Sequence, residues 1–399
     1  MADEPRTSRA ELGVVVTLLS LTQGCEESLP IASIVPAPPV EIPSTPWMLP
    51  RPIRQLAFEQ KVYSSGYPLI NFSPADVNLD GHADLAVVHD VDSMVSVLLG
   101  DGGGGVWRVR SFDRDDTAGS TAVEVGDVNG DNLPDLVIAN RQPYAINVAL
   151  NLGTGKFSAQ QPLEVSGRPA ALVVADFNTD GVADIALANH DKGQVNILFG
   201  MGQGAFAPPA SWETGSGPSA LLALDADQDG NLDLVVADDA DDRVQVLHGD
   251  GTGRFGRPSF FGVGKKPVAL AHADLNRDGI DELLVANYAE DTLSILYGNP
   301  YREYGPIRTM PTGHAPTAVA SGDINFDQIP DVAVANYLSD SVLVFLGLQS
   351  GELEPKLVMA PIPRPSAVRI FAFDDDSQAD ITVASQALAR LFVFLNRSM

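Results

Sequence analysis

The sequence is short of cysteine and of basic residues. Its 399 residues include a single cysteine, Cys25, which excludes an intrachain disulfide framework. Lys and Arg number 25 against 52 Asp and Glu, giving a formal net charge of −27. Because a nucleic-acid backbone is bound by a basic surface, this balance argues against a nucleic-acid partner.

Familiar catalytic motifs are also missing. The six histidines are scattered, without a His-x-x-x-His or His-Glu pair. The chain has neither a Gly-x-Ser-x-Gly elbow nor a phosphate-binding loop. The sequence therefore favours a binding protein over an enzyme.

What the chain has instead is a recurring acidic nonapeptide. In Asp176-Phe-Asn178-Thr-Asp180-Gly181-Val-Ala-Asp184, side-chain oxygens stand at positions 1, 3, 5 and 9, and a glycine stands at position 6, where the backbone must turn. Ca²⁺ takes about six to eight oxygen ligands and is commonly wrapped by such a loop. The pattern predicts a calcium site.

The nonapeptide recurs at a fixed period. Its first residues are Asp76, Asp127, Asp176, Asp225, Asp274 and Asp323, at intervals of 51, 49, 49, 49 and 49 residues. A seventh copy starts at Ala372 and lacks the first ligand, so we expect it to hold no ion. Seven copies in phase indicate a repeat protein.

The six complete loops predict about six structural Ca²⁺ sites, and at these positions they carry 19 carboxylates, a large part of the acidic charge. The alternative is a solvated, Asx-rich turn that binds nothing, and it is strongest for the second and sixth loops, where Asn132 and Gln328 replace the glycine. The predicted ligands are Asp76, Asn78, Asp80, Asp84, Asp127, Asn129, Asp131, Asp135, Asp176, Asn178, Asp180, Asp184, Asp225, Asp227, Asp229, Asp233, Asp274, Asn276, Asp278, Glu282, Asp323, Asn325, Asp327 and Asp331.

The first 54 residues differ from the rest. Residues 1–24 have the pattern of an export signal, with Arg6 and Arg9 before an apolar run that is too short to span a bilayer. The run ends in Leu21-Thr-Gln-Gly-Cys25, which resembles a bacterial lipoprotein lipobox and implies acylation of Cys25. The alternatives are a secretory signal without lipidation and a buried helix with an incidental thiol. Residues 25–54 are rich in proline and predict an extended linker.

Residues 55–399 predict an all-β, seven-bladed propeller. Each unit contains three short apolar strands and a fourth, more polar one, separated by turn signals, which is typical of one antiparallel blade that must stack on its neighbours. The last unit ends after its third strand, at residues 391–395. We therefore expect the N-terminal strand, residues 58–63, to complete the last blade and to cover its edge.

The unit resembles the FG-GAP, or VCBS, repeat. The resemblance rests on Asp-x-Asn-x-Asp-Gly-x-x-Asp, a following strand that ends in Ala-Asn, and Gly-x-Gly-x-Phe with Phe157, Phe206 and Phe255. It implies the propeller of integrin α-subunits and of many bacterial surface proteins, with Ca²⁺ in the hairpin between the first two strands of a blade. An EF-hand shares positions 1, 3, 5 and 6, but it also needs a Glu at position 12 and flanking helices, so we reject it.

The rim opposite the acidic loops is where we expect a ligand. This rim contains the turns that follow the second strand of each blade. Binding residues are often found on loops that a rigid scaffold holds in place, and the residues next to the recurring Asn differ from unit to unit. The recurring Asn of these turns fits an Asx turn without a ligand. The predicted ligand residues are Arg141, Tyr144, His190, Tyr288 and Tyr337.

Together these features predict an exported, calcium-stabilised propeller at the outer membrane or cell surface, or secreted if Cys25 is unmodified. It would bind a protein or a glycan at the rim and contact the membrane only through its N-terminal anchor. The alternative is a propeller enzyme, a polysaccharide lyase or a sugar dehydratase. A third hypothesis is a purely structural subunit of a surface complex.

Overall fold

The structure is a computed structural model that describes residues 56–90, 94–112, 118–159, 162–299 and 303–398. The predicted export signal (residues 1–24), the linker (25–54) and Cys25 lie outside the described residues.

Short strands account for most of the described chain, as expected from apolar runs punctuated by Gly, Asn and Asp. In chain order they are β1 (Phe58–Ser64), β2 (Leu69–Ala75), β3 (Asp84–His89), β4 (Val95–Gly100), β5 (Val106–Phe112), β6 (Ala118–Gly126), β7 (Asp135–Gln142), β8 (Tyr144–Asn151), β9 (Phe157–Ala159), β10 (Leu163–Glu164), β11 (Pro169–Ala175), β12 (Asp184–Asn189), β13 (Gln194–Leu198), β14 (Ala210–Glu213), β15 (Pro218–Leu224), β16 (Asp233–Asp238), β17 (Arg243–Leu247), β18 (Ser259–Gly262), β19 (Pro267–Ala273), β20 (Glu282–Asn287), β21 (Thr292–Asn299), β22 (Glu303–Pro311), β23 (Pro316–Gly322), β24 (Asp331–Asn336), β25 (Ser341–Gly347), β26 (Leu353–Met359), β27 (Pro365–Phe371), β28 (Asp380–Ser385) and β29 (Arg390–Asn396). Two short 3₁₀ segments, His190–Lys192 and Tyr337–Ser339, follow β12 and β24.

The strands form seven antiparallel sheets, which confirms the predicted seven-bladed propeller. Blade I contains β2–β5, blade II β6–β10, blade III β11–β14, blade IV β15–β18, blade V β19–β22, blade VI β23–β26, and blade VII β27–β29 with β1. The first strands of successive blades contact one another in cyclic order, and the first strand of blade VII contacts that of blade I. The ring is therefore closed around a central channel.

Closure uses both ends of the folded region, as the sequence predicts. Strand β1 pairs with β29 in antiparallel register from Phe58 opposite Asn396 to Ser64 opposite Arg390. The N-terminal strand is thus the outermost strand of blade VII. Pairing of the two chain ends covers edges that would otherwise be open to other strands.

Blades II, III and IV depart from the predicted strand pattern. In blade II, β7 continues past the expected turn to Gln142, and Arg141 lies opposite Tyr144. In blade III, we predict a fourth strand from residue 205, but only an isolated bridge forms at Phe206 before β14 begins at Ala210. The interruption falls at Pro208 and Pro209, which have no amide hydrogen to donate to the ladder. In blade IV an isolated bridge at Phe255 likewise precedes β18, and Pro258 lies between them.

Apolar side chains fill the spaces between blades. Every residue of the second strand is buried in blades I, III, IV, V, VI and VII. A strand that neighbouring sheets cover on both faces has a nearly continuous apolar sequence, and the second strands of these blades have such sequences. The largest apolar cluster joins blades VI, VII and I and includes Phe72, Phe373 and Phe394, so the closing seam has a core of its own.

Candidate metal centres and the opposite rim

The acidic loops connect the first and second strands of their blades, and the third loop shows their geometry. The two carboxylate oxygens of Asp176 accept hydrogen bonds from the backbone N–H groups of Asp180 (3.2 Å) and Gly181 (2.8 Å). Asn178 Oδ1 also accepts from Asp180 N (3.0 Å), and Asp180 Oδ1 accepts from Val182 N (2.9 Å). The same position 1 and position 3 bonds recur in all six complete loops. The loops therefore hold the side chains of positions 1, 3 and 5 in one shared arrangement.

Position 6 is left-handed in every complete loop, including the two without glycine. The φ angle is 85° at Gly181, 65° at Asn132 and 65° at Gln328. Asn enters this region more readily than most residues, whereas Gln carries a larger steric cost. The second and sixth loops thus keep the geometry of the others.

The residue at position 9 is buried and holds the loop to the blade. In the third loop, Asp184 Oδ2 accepts from the N–H of Phe177 (3.0 Å), and Oδ1 accepts from the N–H of Gly200 (2.8 Å), at the end of the third strand. Glu282 in the fifth loop differs: Oε2 accepts from Leu275 N (2.7 Å), but Oε1 accepts from the amide of Asn276 (3.0 Å). Its longer side chain therefore also contacts position 3 of its own loop.

The donor set suits a hard divalent cation. In the fourth loop, oxygen atoms of Asp225, Asp227 and Asp229 lie within 4.8 Å of one another. Carboxylate and amide oxygens at this density are the ligands of Ca²⁺. Asp, Asn and Glu side chains at positions 1, 3, 5 and 9 would hold the ion, which would neutralise carboxylates that otherwise repel one another.

Burial raises the pKa of the closing carboxyl groups in blades I, II, III, V and VI, and the neighbouring acids of each loop add to the effect. The pKa is raised to about 6 for Asp84, Asp135 and Asp184 and to about 7 for Asp331 and Glu282. Without a cation, the folded state therefore binds protons more tightly than the unfolded chain does.

We expect the stability of the chelated protein to depend on pH in a defined direction. A folded pKa above the unfolded value contributes stability at low pH that is lost as the pH rises through the folded pKa. Here the loss spans the interval between the ordinary carboxyl values and about 6 to 7. The melting temperature in chelator should fall between about pH 4 and pH 7, as measured by differential scanning fluorimetry. A melting temperature that rises over this interval would contradict the expectation.

The loops also contact neighbouring blades. Gln203 N, in the Gly-rich hairpin of blade III, donates to the carbonyl of Asn129 in the loop of blade II (3.1 Å). Thr179 Oγ1 in the loop of blade III donates to the carbonyl of Gly251 in the hairpin of blade IV (2.9 Å). An ion that orders one loop would therefore also order the contact with the next blade.

At the opposite rim, one position of the repeat places seven side chains around the mouth of the channel. Each residue directly follows the second strand of its blade or, in blade II, lies near its end, and each is half-buried. We name this set the crown. It consists of Asp90, Arg141, His190, Asp239, Tyr288, Tyr337 and Gln386.

Hydrogen bonds and charge pairs link the crown from blade to blade. Tyr337 Oη donates to Gln386 Oε1 (3.1 Å), and Gln386 Nε2 donates to Asp90 Oδ2 (2.8 Å). His190 Nε2 lies 3.4 Å from Asp239 Oδ1. Burial lowers the pKa of Arg141, and the charge of Asp90 opposes that shift. The crown is thus a network that crosses blades VI, VII and I and, separately, blades III and IV.

Cations cover the two crown tyrosines. Lys266 Nζ lies 5.1 Å from the ring centroid of Tyr288, and the Arg364 guanidinium lies 5.8 Å from that of Tyr337. Such cation–π contacts fix the orientation of both groups. Burial raises the pKa of both phenols, so they stay neutral hydrogen-bonding groups.

The structure brings four of the five predicted rim residues into the crown: Arg141, His190, Tyr288 and Tyr337. Tyr144 lies beside it, with Oη 3.4 Å from Asp191. The predicted ligand residues did not include Asp90, Asp239 and Gln386, although the repeat period marks these three as equivalent positions. The preceding Asn residues are buried and structural; Asn189 Nδ2, for example, donates to Asn196 Oδ1 (3.0 Å).

Below the crown the channel contains a cavity of about 110 Å³, lined by the first strands of all seven blades. Two charged side chains face it. Glu124 Oε2 accepts from Ser73 Oγ (3.1 Å), and Arg369 Nη2 donates to Asn71 Oδ1 (3.3 Å). The first pair joins blades I and II, and the second joins blades VII and I, so Arg369 braces the closing seam from inside.

Comparisons with known proteins agree with this architecture. The model of the FG-GAP-like repeat matches residues 76–138, 127–187, 176–236, 225–285 and 274–334. A crystal structure of BBS1N in complex with ARL6DN is similar at a TM-score of 0.60 and 13% identity, covering 86% of this chain and 97% of that one. An Agrocybe aegerita lectin that recognises non-reducing terminal N-acetylglucosamine is similar at a TM-score of 0.53 and 15% identity, covering 86% and 87%. At such identities the likeness concerns the fold alone. A comparison with curated proteins gives no match.

Helices contribute little to the described ranges, and none found there has the length and apolar character needed to cross a bilayer.

Proposed function

Since the chain belongs to the FG-GAP-like repeat family, we propose that it is an exported, calcium-stabilised propeller whose crown binds a protein or a glycan at the cell surface. The acidic loops stabilise the scaffold, and the opposite rim provides the binding surface.

One observation carries the proposal for the crown. A position with a structural role has the same residue type in nearly every blade. Position 9 of the acidic loop, for example, is Asp in all blades except blade V, where it is Glu282. The crown position instead carries two carboxylates, a guanidinium, an imidazole, two phenols and an amide. Packing does not require this variety, because all seven side chains are half-exposed at the channel mouth. A concave surface with convergent polar and aromatic groups is the usual form of a binding site.

Propellers of similar fold support both ligand classes. BBS1N is seen in complex with a protein, ARL6DN, and the fungal lectin recognises a terminal sugar. Tyrosine suits either ligand, since its ring offers apolar contact and its hydroxyl offers a hydrogen bond. The fixed Tyr337–Gln386–Asp90 chain adds preorganised polar groups.

We expect the double substitution Tyr288→Ala and Tyr337→Ala to reduce ligand binding at least about tenfold, since truncation of aromatic anchors that a ligand covers is costly. Binding would be measured on a glycan array and by pull-down of envelope proteins. The matched control is Trp107→Ala, which removes an exposed aromatic ring from β5. Equal binding by the wild type and a correctly folded crown variant would refute the role of the crown.

The N-terminal part of the proposal has a separate test. The lipobox-like sequence before Cys25 supports export and acylation of this cysteine. Mass spectrometry of the mature N-terminus should then show a chain that begins at acylated Cys25. An unmodified Cys25 in a secreted protein would refute anchoring and leave the propeller unaffected.

The crown also favours a second candidate function. Polysaccharide lyases need a base and a cation at one place, and the crown gathers His190, Arg141 and two tyrosines. His190 lies between Asp191 (3.5 Å) and Asp239 (3.4 Å), an arrangement that would orient its imidazole. Ultraviolet-absorbing unsaturated products from a panel of acidic polysaccharides would establish this activity; their absence, together with binding, would favour the scaffold.

A further inference from the structure

The seventh loop contains a positively charged group from its own chain. Its first position is Ala372, so one ligand of the pattern is missing. Arg397 Nη2 lies 2.8 Å from Asp374 Oδ2, at position 3, and Nη1 lies 2.7 Å from Asp376 Oδ2, at position 5. The guanidinium therefore bridges the two carboxylates that the other loops direct toward a cation.

The remainder of the seventh loop keeps the common design. Asp380, at position 9, is buried; its Oδ2 accepts from Phe373 N (2.8 Å), and its Oδ1 accepts from Asn396 N (2.7 Å). These are the bonds made by Asp184 in the third loop. The seventh loop therefore differs from the others in its first ligand position and in the positive group beside its carboxylates. Its attachment to the blade is the same.

Arg397 also reaches the strand that closes the ring. Its Nε lies 3.4 Å from Glu59 Oε2 on β1, and its backbone N–H donates to the carbonyl of Ala57 (2.7 Å). Ser398 Oγ accepts from Ala57 N (3.2 Å). One residue thus joins the seventh loop, the last strand and the first strand.

The equivalent position in the other blades carries no positive charge. In blades I, II, III, IV and VI this position directly follows the residue whose N–H donates to the closing carboxylate, and it is occupied by Asp101, Leu152, Met201, Asp250 and Leu348. In blade V the corresponding residue by repeat alignment is Asn299. A basic residue occurs only in the blade whose loop has lost its first ligand. The loss of the carboxylate at position 1 and the gain of Arg397 compensate each other in charge. The loop has one negative charge fewer, and a group of charge +1 takes the place of an ion of charge +2.

We propose that the seventh loop is a cation site filled by the guanidinium of Arg397, so that the closing blade keeps its loop without a metal. Guanidinium pairs well with carboxylates and stays charged at all ordinary pH values. Removal of calcium would loosen the six complete loops and leave the junction of β1 and β29 intact. The ring would then lose rigidity without opening at its seam.

The first test is Arg397→Gln in the full chain. In chelator, its melting temperature should fall below that of the wild type by about 3 °C or more, because Asp374 and Asp376 lose their counter-charge. Arg308→Gln is the matched control: it removes an exposed ion pair with Glu352 (2.5 Å), and its melt should stay unchanged. An Arg397→Gln melt equal to that of the wild type in chelator would overturn the proposal.

The second test converts the loop. The double variant Ala372→Asp, Arg397→Gln restores the first ligand and removes the guanidinium, and native mass spectrometry with Ca²⁺ should show one more bound ion than in the wild type. Calcium bound at the wild-type seventh loop, detected as one ion fewer in Asp376→Asn than in the wild type, would overturn the proposal. The melt of Arg397→Gln in chelator does not depend on whether any loop binds calcium. Its outcome is therefore independent of the proposed function.

Discussion

Chelation of divalent cations is expected to lower the melting temperature of the full chain by about 10 °C or more. A ligand that binds only the folded state stabilises it by about 2.7 kcal/mol per site when its concentration is a hundred times Kd. Six such sites add up to a large share of the stability of a single domain, and a few °C correspond to each kcal/mol. The loops also contact neighbouring blades, as Thr179 contacts Gly251, so ion loss weakens junctions as well as hairpins.

The measurement is a thermal melt in EDTA, followed by a melt after excess Ca²⁺ is restored. Mg²⁺ provides the control, because it requires tight octahedral geometry and should restore less of the melting temperature. Identical melts with and without EDTA would mean that the acidic loops are solvated turns that bind no cation.

The second large effect is expected from Asp184→Ala, which should destabilise the protein even in chelator, by about 2 kcal/mol or more. Asp184 is buried and accepts hydrogen bonds from the N–H groups of Phe177 and Gly200. Alanine leaves both donors without a partner in the interior, and each such group costs about 1–3 kcal/mol. The position 9 carboxyl is therefore structural as well as a predicted ligand.

Asp180→Ala is the matched control at position 5 of the same loop. Asp180 is exposed, so its loss should leave the melt in chelator nearly unchanged while weakening calcium binding. Because burial raises the pKa of Asp184 to about 6, its charge opposes folding at neutral pH, and the two variants are best compared at about pH 5.5. Equal melts of Asp184→Ala and the wild type in chelator would contradict a structural role.

The period of the sequence predicted the fold well because each blade is built from local contacts. The 49-residue interval gave the number of blades, and the last unit, which lacks a fourth strand, pointed to β1 as its missing edge. The exceptions were local too. Pro208 and Pro209 shortened the fourth strand of blade III, and a close pairing of Arg141 with Tyr144 lengthened the hairpin of blade II.

The sites were predicted unevenly, for physical reasons. Ligand positions within a nonapeptide are neighbours in the chain, so their spacing is informative. The repeat period places His190 and Asp239 at equivalent positions of neighbouring blades. Whether such side chains meet, as His190 meets Asp239 and Gln386 meets Asp90, depends on the curvature of the closed ring. Arg397 lies outside every motif, and its contacts with Ala57 and Glu59 exist only because β1 returns to pair with β29.

Native mass spectrometry of the full chain in Ca²⁺ tests most directly whether metal ions hold this ring together. We predict six bound Ca²⁺ per chain, all removed by chelator, and no seventh ion beside Arg397. A chain that binds no calcium under these conditions would contradict the proposed role of the acidic loops.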